Sequence, residues 1–254
     1  MKKRKAGIGI FVIVLIITAV RVKSMDSHRI SGRILAENIA GPGMMRLVEQ
    51  SMQAQAQKTS VTEIAVKERK HPQAALTFDD GPDIRYTPLL LDGLKERNVR
   101  VSFFLLGEKV EQYPELVERM QKEGHLVGNH TYHHVQLNKL NETKAREEIL
   151  KTNNLIYETT GVYPLYLRPP FGAWKKNLEL CVEMLPVFWT IDTLDWKVQN
   201  TEKIVRTVQE QIEDGAIILM HDEYDTSVEA ALQVVDELKN QGYELVTVDQ
   251  LILP

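Results

Sequence analysis

Two adjacent carboxylates, Asp79 and Asp80, stand where the apolar run Ala74 to Phe78 breaks into Gly81-Pro82. Like charges a few ångströms apart push one pKa upward unless a cation or a metal compensates. The pair therefore does nothing for folding and points to chemistry. Gly81-Pro82 stops the run, so both side chains sit at the carboxyl end of a strand, where α/β folds collect their reactive groups. Asp-Asp-Gly-Pro is also good turn composition, and alone it does not decide between the two readings. The counterpart is His130-Thr131-Tyr132-His133-His134, which holds three of the seven histidines. His130 and His134 are four apart, so on a helical turn both imidazoles project from one face while His133 points elsewhere. With Asp80 they make a two-His, one-carboxylate set that leaves room for water on zinc, cobalt or another divalent ion. A surface cluster of titrating histidines is the competing reading.

Three further segments place polar groups after apolar runs. Arg168-Pro169-Pro170-Phe171-Gly172 follows Leu165 to Leu167; an arginine there can orient a carboxylate bidentately, and the prolines stiffen the loop. Asp192-Thr193-Leu194-Asp195-Trp196 follows Val187 to Ile191 and sets a carboxylate beside an aromatic wall suited to a sugar face. Leu219-Met220-His221-Asp222 ends the run Ala216 to Met220. Each is weak alone, since a rigid turn, a core tryptophan and an ordinary strand-end histidine would look the same. Together they put chemistry-bearing residues at the carboxyl ends of successive apolar runs.

These residue types suit amide hydrolysis. A metal polarises the carbonyl and acidifies water, a carboxylate takes the proton, and a histidine on the opposite side can protonate the leaving amine. No Ser-His-Asp arrangement or nucleophilic cysteine context is evident, so no covalent intermediate is required.

In order and internal spacing the five segments resemble the motifs of the polysaccharide deacetylases, carbohydrate esterase family 4 or the NodB-homology domain, over roughly Ala74 to Pro254. No motif residue departs from the pattern. The resemblance implies an α/β fold, a distorted (β/α) barrel, and divalent-metal-dependent removal of acetyl groups from N-acetylated amino sugars. It implies Asp79 as general base, Asp80, His130 and His134 as metal ligands, and Arg168 orienting Asp79. It further implies the backbone N–H of Phe171 at the oxyanion, Asp195 tuning the general acid His221, and Trp196, Leu219 and Phe171 lining the acetyl and sugar pocket. Zinc is the first expectation for the metal. The expected substrate is a cell-surface polysaccharide, with peptidoglycan N-acetylglucosamine first; a non-hydrolytic carbohydrate-binding relative and an amidase for small non-sugar amides are the alternatives. The acidic stretch Asp222 to Thr226 departs from the glycine-rich loop often found there and bears on substrate preference.

Ahead of this region, Lys2-Lys3-Arg4-Lys5 precedes an uncharged run from Ala6 to Val20. Residues 1–24 read as a signal-anchor with the basic end inside and the rest outside, extended by Val22 and a snorkelling Arg21. A cleaved signal peptide, giving a secreted product, is the alternative. The expectation is thus a cell-membrane protein, single-pass, with an extracellular catalytic domain. Residues 25–73 read as a stalk, and 74–254 as the catalytic domain. The first 25 residues hold six basic and no acidic side chains, so the rest of this −4 chain carries −10. That argues against nucleic acid as a partner. Cys181 is the one cysteine and reads as a packed core thiol.

Beyond Ala74, short apolar runs alternate with helical patterns: Ala145, Ile149, Thr152 and Ile156; Ile204, Val208 and Ile212; Val228, Leu232, Val235 and Leu238. Val101 to Leu105, Ala216 to Met220 and Glu244 to Thr247 fall between them as strands. This alternation predicts a largely parallel sheet.

Overall fold

The computed structural model describes residues 71–174 and 184–252. The expected anchor, the stalk up to residue 70 and Cys181 lie outside the described residues. Among the described residues no helix is long and apolar enough to cross a membrane.

Strand β1 (Gln73–Asp79) lies at the centre of an eight-stranded sheet. Its neighbours are β2 (Ser102–Leu105) and β7 (Ala216–His221). The sheet continues through β3 (Leu126–Asn129), β4 (Tyr166–Leu167) and β5 (Leu185–Pro186) on one side and β6 (Ile191–Asp192) on the other. β8 (Glu244–Leu245) takes the start of β1 at Gln73 and Ala74, ahead of β2, which pairs from Thr77. Every pairing is parallel, so each crossover must return the chain to the same end of the sheet. All strand carboxyl ends consequently open on one rim. The fold is a curled half-barrel, not a closed one: among the described residues β5 and β6 are the two ends of the strand path.

Alternation along β1 divides its side chains between two faces. Ala74, Leu76 and Phe78 join the large core cluster with Phe103, Leu105, Ile218 and Met220. Ala75 packs on the other face with Phe104 and Tyr166. By the same period, Thr77 and Asp79 on β1 and Leu219 and His221 on β7 share the inner face. The register places Asp79 beside His221 and Phe104.

Helices flank the sheet: α1 (Tyr86–Glu96), α2 (Gly107–Gln112), α3 (Pro114–Lys122), α4 (Glu142–Thr160), α5 (Asp195–Val198), α6 (Thr201–Gln211), α7 (Asp225–Asn240) and α8 (Val248–Ile252), the last packing through Val248 on the face of Ala75 and Phe104. The predicted stripes are buried: Ala145, Ile149, Thr152 and Ile156 on α4, and Val228, Val235 and Leu238 on α7. Asn141 starts α4 by accepting from Lys144 N at 2.9 Å, and Asn200 caps α6 through Lys203 N at 3.0 Å, each worth about 1 kcal/mol. Gly161 ends α4 at φ 72°, a left-handed turn that glycine adopts without a Cβ penalty.

Several expected boundaries move. Ile212 is the extended residue that follows α6. The run Val187 to Ile191 is a strand only at Ile191, and Glu244 to Thr247 only at its first two residues. Apolar runs mark burial, but a ladder also needs a neighbour in register, and β6 is an edge strand with β7 alone.

Candidate active site

Five carboxyl-end segments meet at the open rim. Asp79 is the last residue of β1, and the chain turns at once through Asp80, which has φ 70°. Asp79 is 3% exposed, so its carboxylate needs a partner. Arg168, just past β4, supplies one: Nη1 donates to Asp79 Oδ1 at 2.8 Å and to Thr77 Oγ1 at 2.7 Å. The guanidinium is fully buried, 4.2 Å from the Phe104 ring centroid and 5.8 Å from that of Trp189. The contact engages one carboxylate oxygen, not two as the bidentate expectation had it, and the same Nη1 also serves Thr77. Asp79 Oδ2 is left facing His130 Nε2 at 3.7 Å. Burial raises the Asp79 carboxyl above its ordinary value, with Arg168 opposing the rise.

His130 and His134 do converge, but not on a helical turn. They lie in a loop after β3, in which Thr131 and His134 take φ values of 67° and 54°. Left-handed conformations at non-glycine residues are costly and must be held from outside. Asn129 Oδ1 accepts from Thr131 N at 2.7 Å. Glu148, on α4, accepts from Tyr132 N at 3.1 Å and His133 N at 2.9 Å, and pairs with the His133 ring at 2.7 Å. His133 is thus turned away from the cluster.

His130 Nδ1 lies 2.6 Å from the carbonyl of Arg168 and must donate to it, which leaves the Nε2 lone pair facing Asp80. Burial pushes the His130 imidazole down to about 3, so it stays neutral and competent as a ligand. Asp80 Oδ1 lies 3.4 Å from Nε2 of both His130 and His134. That oxygen is buried and has no hydrogen-bond partner among the described residues. The three donor atoms lie within 4.8 Å of one another. An orphaned carboxylate oxygen between two imidazole nitrogens fits a divalent cation.

His221 closes the opposite side, with Nε2 3.8 Å from Asp80 Oδ2. Asp195, fully buried at the start of α5, accepts from His221 N at 2.7 Å and pairs with His221 Nδ1 at 2.8 Å. Burial alone would lower the imidazole, but the Asp195 hydrogen bond and charge, with Asp79 and Asp80, lift it to about 9. Burial would raise Asp195; the bonds from His221 outweigh it and hold that carboxyl below its ordinary value.

At the mouth, Phe171 is 62% and Trp196 49% exposed. Phe171 takes φ 59°, and its ring centroid lies 4.5 Å from that of His134. Leu219 is buried on the inner face of β7, and its carbonyl accepts from Thr193 Oγ1 at 2.8 Å. Sequence reasoning missed Thr77, Asn129, Glu148 and Asp222. Thr77 and Asp222 stood inside segments the sequence singles out but were given no role of their own, whereas Asn129 and Glu148 carried no local signal. Asp222 is buried, and burial pushes its carboxyl up to about 7 against the Thr87 hydrogen bond and the Lys109 charge.

Residues 66–187 match the family model described as polysaccharide deacetylase. The chain is 42% identical over 185 residues to the peptidoglycan-N-acetylglucosamine deacetylase PgdA of Listeria monocytogenes. That match spans 73% of this chain but 40% of the relative. A peptidoglycan-N-acetylglucosamine deacetylase of Bacillus cereus is 40% identical over 186 residues, 70% of this chain and 68% of that protein. The solved structure of peptidoglycan deacetylase PdaC from Bacillus subtilis superposes with a TM-score of 0.70 at 42% identity, covering 72% of this chain and 91% of that one. Fold, rim geometry and relatives agree, and the chain belongs to the polysaccharide deacetylase family.

Proposed function

We propose that the chain is a metal-dependent hydrolase that removes N-acetyl groups from amino sugars of peptidoglycan, N-acetylglucosamine first. The observation that carries the reading is the placement of two oppositely prepared proton carriers around one ligand set. Asp79 and His221 are register partners on adjacent strands, and both approach the Asp80–His130–His134 cluster. Bound there, a divalent ion of the zinc type supplies Lewis acidity, polarising an amide carbonyl and acidifying water.

The remaining steps belong to the chain's own residues. Arg168 fixes Asp79 through one oxygen, and the other faces the cluster, where it can take a proton from the attacking water. General-base assistance of this kind contributes about 10²–10⁴-fold. His221, held protonated by Asp195, delivers a proton to the departing amine. The backbone N–H of Phe171, on the left-handed turn beside His134, is the proposed donor to the oxyanion. Trp196 and Phe171 offer exposed apolar faces for the sugar rings. A non-hydrolytic carbohydrate-binding role would leave the buried Asp79–Arg168 and His221–Asp195 pairs without use.

The substrate assignment is supported by the peptidoglycan named for the relatives. Acetate release from purified peptidoglycan, beside N-acetylglucosamine oligomers, tests it; release from neither would refute it. The basic block Lys2–Lys5 and the apolar run after it support an anchored, extracellular domain. Protease added to wall-free, sealed cells should then reach residues beyond 74, and full protection would contradict that orientation.

A further inference from the structure

Asp222 follows the general acid directly, yet its side chain turns away from the metal cluster and into the turn that carries Asp80. It is 1% exposed, and Oδ1 has no hydrogen-bond partner among the described residues. Oδ2 accepts a hydrogen bond from the Thr87 hydroxyl. Thr87 Oγ1 in turn accepts from Asp83 N at 2.7 Å, and Thr87 N donates to Asp83 O at 3.2 Å. Asp83 Oδ1 accepts from Arg85 N and Tyr86 N at 2.8 Å each, tying the far end of the turn to α1. At the near end the Asp222 carboxylate abuts Gly81: a Cβ there would lie 2.4 Å from Asp222 Oδ1. The carbonyl of Gly81 accepts from Leu106 N at 3.2 Å. The neighbouring Glu223 pairs with Lys109 of α2. The rim loops after β1, β2 and β7 are thus joined around Gly81, Asp222 and Glu223.

We propose that Asp222 is a positioning residue that holds the Asp79–Asp80 turn at a fixed distance from His221, acting through Thr87 and the bare Cα of Gly81. Asp80 needs such support. It sits at φ 70° and turns a buried, unpartnered oxygen toward two imidazoles. The residues that follow it, Gly81 and Pro82, offer no side chain able to hydrogen-bond. A carboxylate spent on a threonine hydroxyl and a glycine backbone is hard to explain as stability alone, because a buried acid costs free energy that an apolar side chain would not. The inference rests on the metal-ligand reading of Asp80.

The test is zinc affinity, measured by chelator competition on the purified full chain, with kcat, KM and melting temperature recorded in parallel. Asp222→Ala and Thr87→Val should each weaken zinc binding by about 10–100-fold, as loss of a group behind a metal ligand does. Both should lower kcat more than they raise KM. The double variant should be no worse than either single one, because the two residues act as one unit. Asp222→Asn, which still accepts from Thr87, and Thr87→Ser, which still donates, should restore near-parent affinity. Parent-like zinc affinity in Asp222→Ala and Thr87→Val, with only the melting temperature lowered, would overturn the proposal. A parent chain that itself binds no zinc would overturn the metal-site reading instead.

Discussion

Asp195 grips His221 twice, one oxygen on the ring Nδ1 at 2.8 Å and the other on the backbone N–H at 2.7 Å. The double contact fixes which nitrogen faces the reaction. Nδ1 is committed to the carboxylate, so Nε2 alone points to the rim, and in the proposed mechanism it carries the transferable proton.

In the proposed mechanism this pair should set the alkaline limb of the rate profile. A general acid must be protonated, and His221 is raised from 6.5 to about 9. The rate should therefore hold through neutral pH and fall as pH rises through about 9. His221→Ala should lower kcat by about 10²–10⁴-fold and flatten that limb, while leaving bound zinc intact. Asp195→Asn should move the limb toward the ordinary value of 6.5. The same shift makes the imidazolium a stabilising group below 6.5, and this contribution disappears as pH rises through about 9. Rate–pH profiles and melting temperatures of the three proteins check both statements.

Arg168 should govern the opposite limb if Asp79 is the base. Asp79 must be ionised to act as base, and burial already raises its pKa while Arg168 opposes the rise. Arg168→Ala should push Asp79 further up, so the acid limb should move to higher pH. Removing one partner of a buried pair should also cost about 3–5 kcal/mol of stability. Arg168→Lys should keep part of the charge but lose the donation shared between Thr77 and Asp79. Denaturant unfolding and the position of the acid limb separate the two effects.

The placement of the site was legible because apolar runs and polar segments alternate: Phe78 into Asp79, Met220 into His221, Leu167 into Arg168. A parallel sheet puts all such junctions on one rim. The route by which His130 and His134 converge was not legible. A spacing of four suits a helical turn, and the loop reaches the same result through left-handed Thr131 and His134. Asn129 holds Thr131, and Glu148, which sits on α4 well after the histidines and carries no motif of its own, holds Tyr132 and His133 between the two. Asp222 was hidden for a like reason, since its partners Thr87 and Gly81 lie far from it in sequence. The distorted (β/α) barrel that the resemblance implies takes the form of a curled half-barrel, whose strand path ends among the described residues at β5 and β6.

Glu148 therefore carries its own prediction. Glu148→Ala removes the acceptor for two backbone N–H groups and the His133 ring, and should destabilise the chain by about 1–3 kcal/mol. It should also weaken zinc binding, because the loop bearing both histidines loses its brace. Glu148→Gln keeps an acceptor and should recover most of the affinity. Chelator competition and thermal melts on the two variants decide it; a Glu148→Ala chain with parent zinc affinity would remove the brace from the account.

The central claim is that Asp79 moves the proton while Asp80 helps hold the metal. Acetate release from purified peptidoglycan, measured against added zinc after chelator treatment, tests it most directly when run on the parent and on Asp79→Asn. The parent should lose activity with the chelator and regain it with stoichiometric zinc. Asp79→Asn should bind the same zinc yet release acetate about 10²–10⁴-fold more slowly. Acetate release that ignores the chelator, or an Asp79→Asn chain that turns over like the parent, would contradict the account.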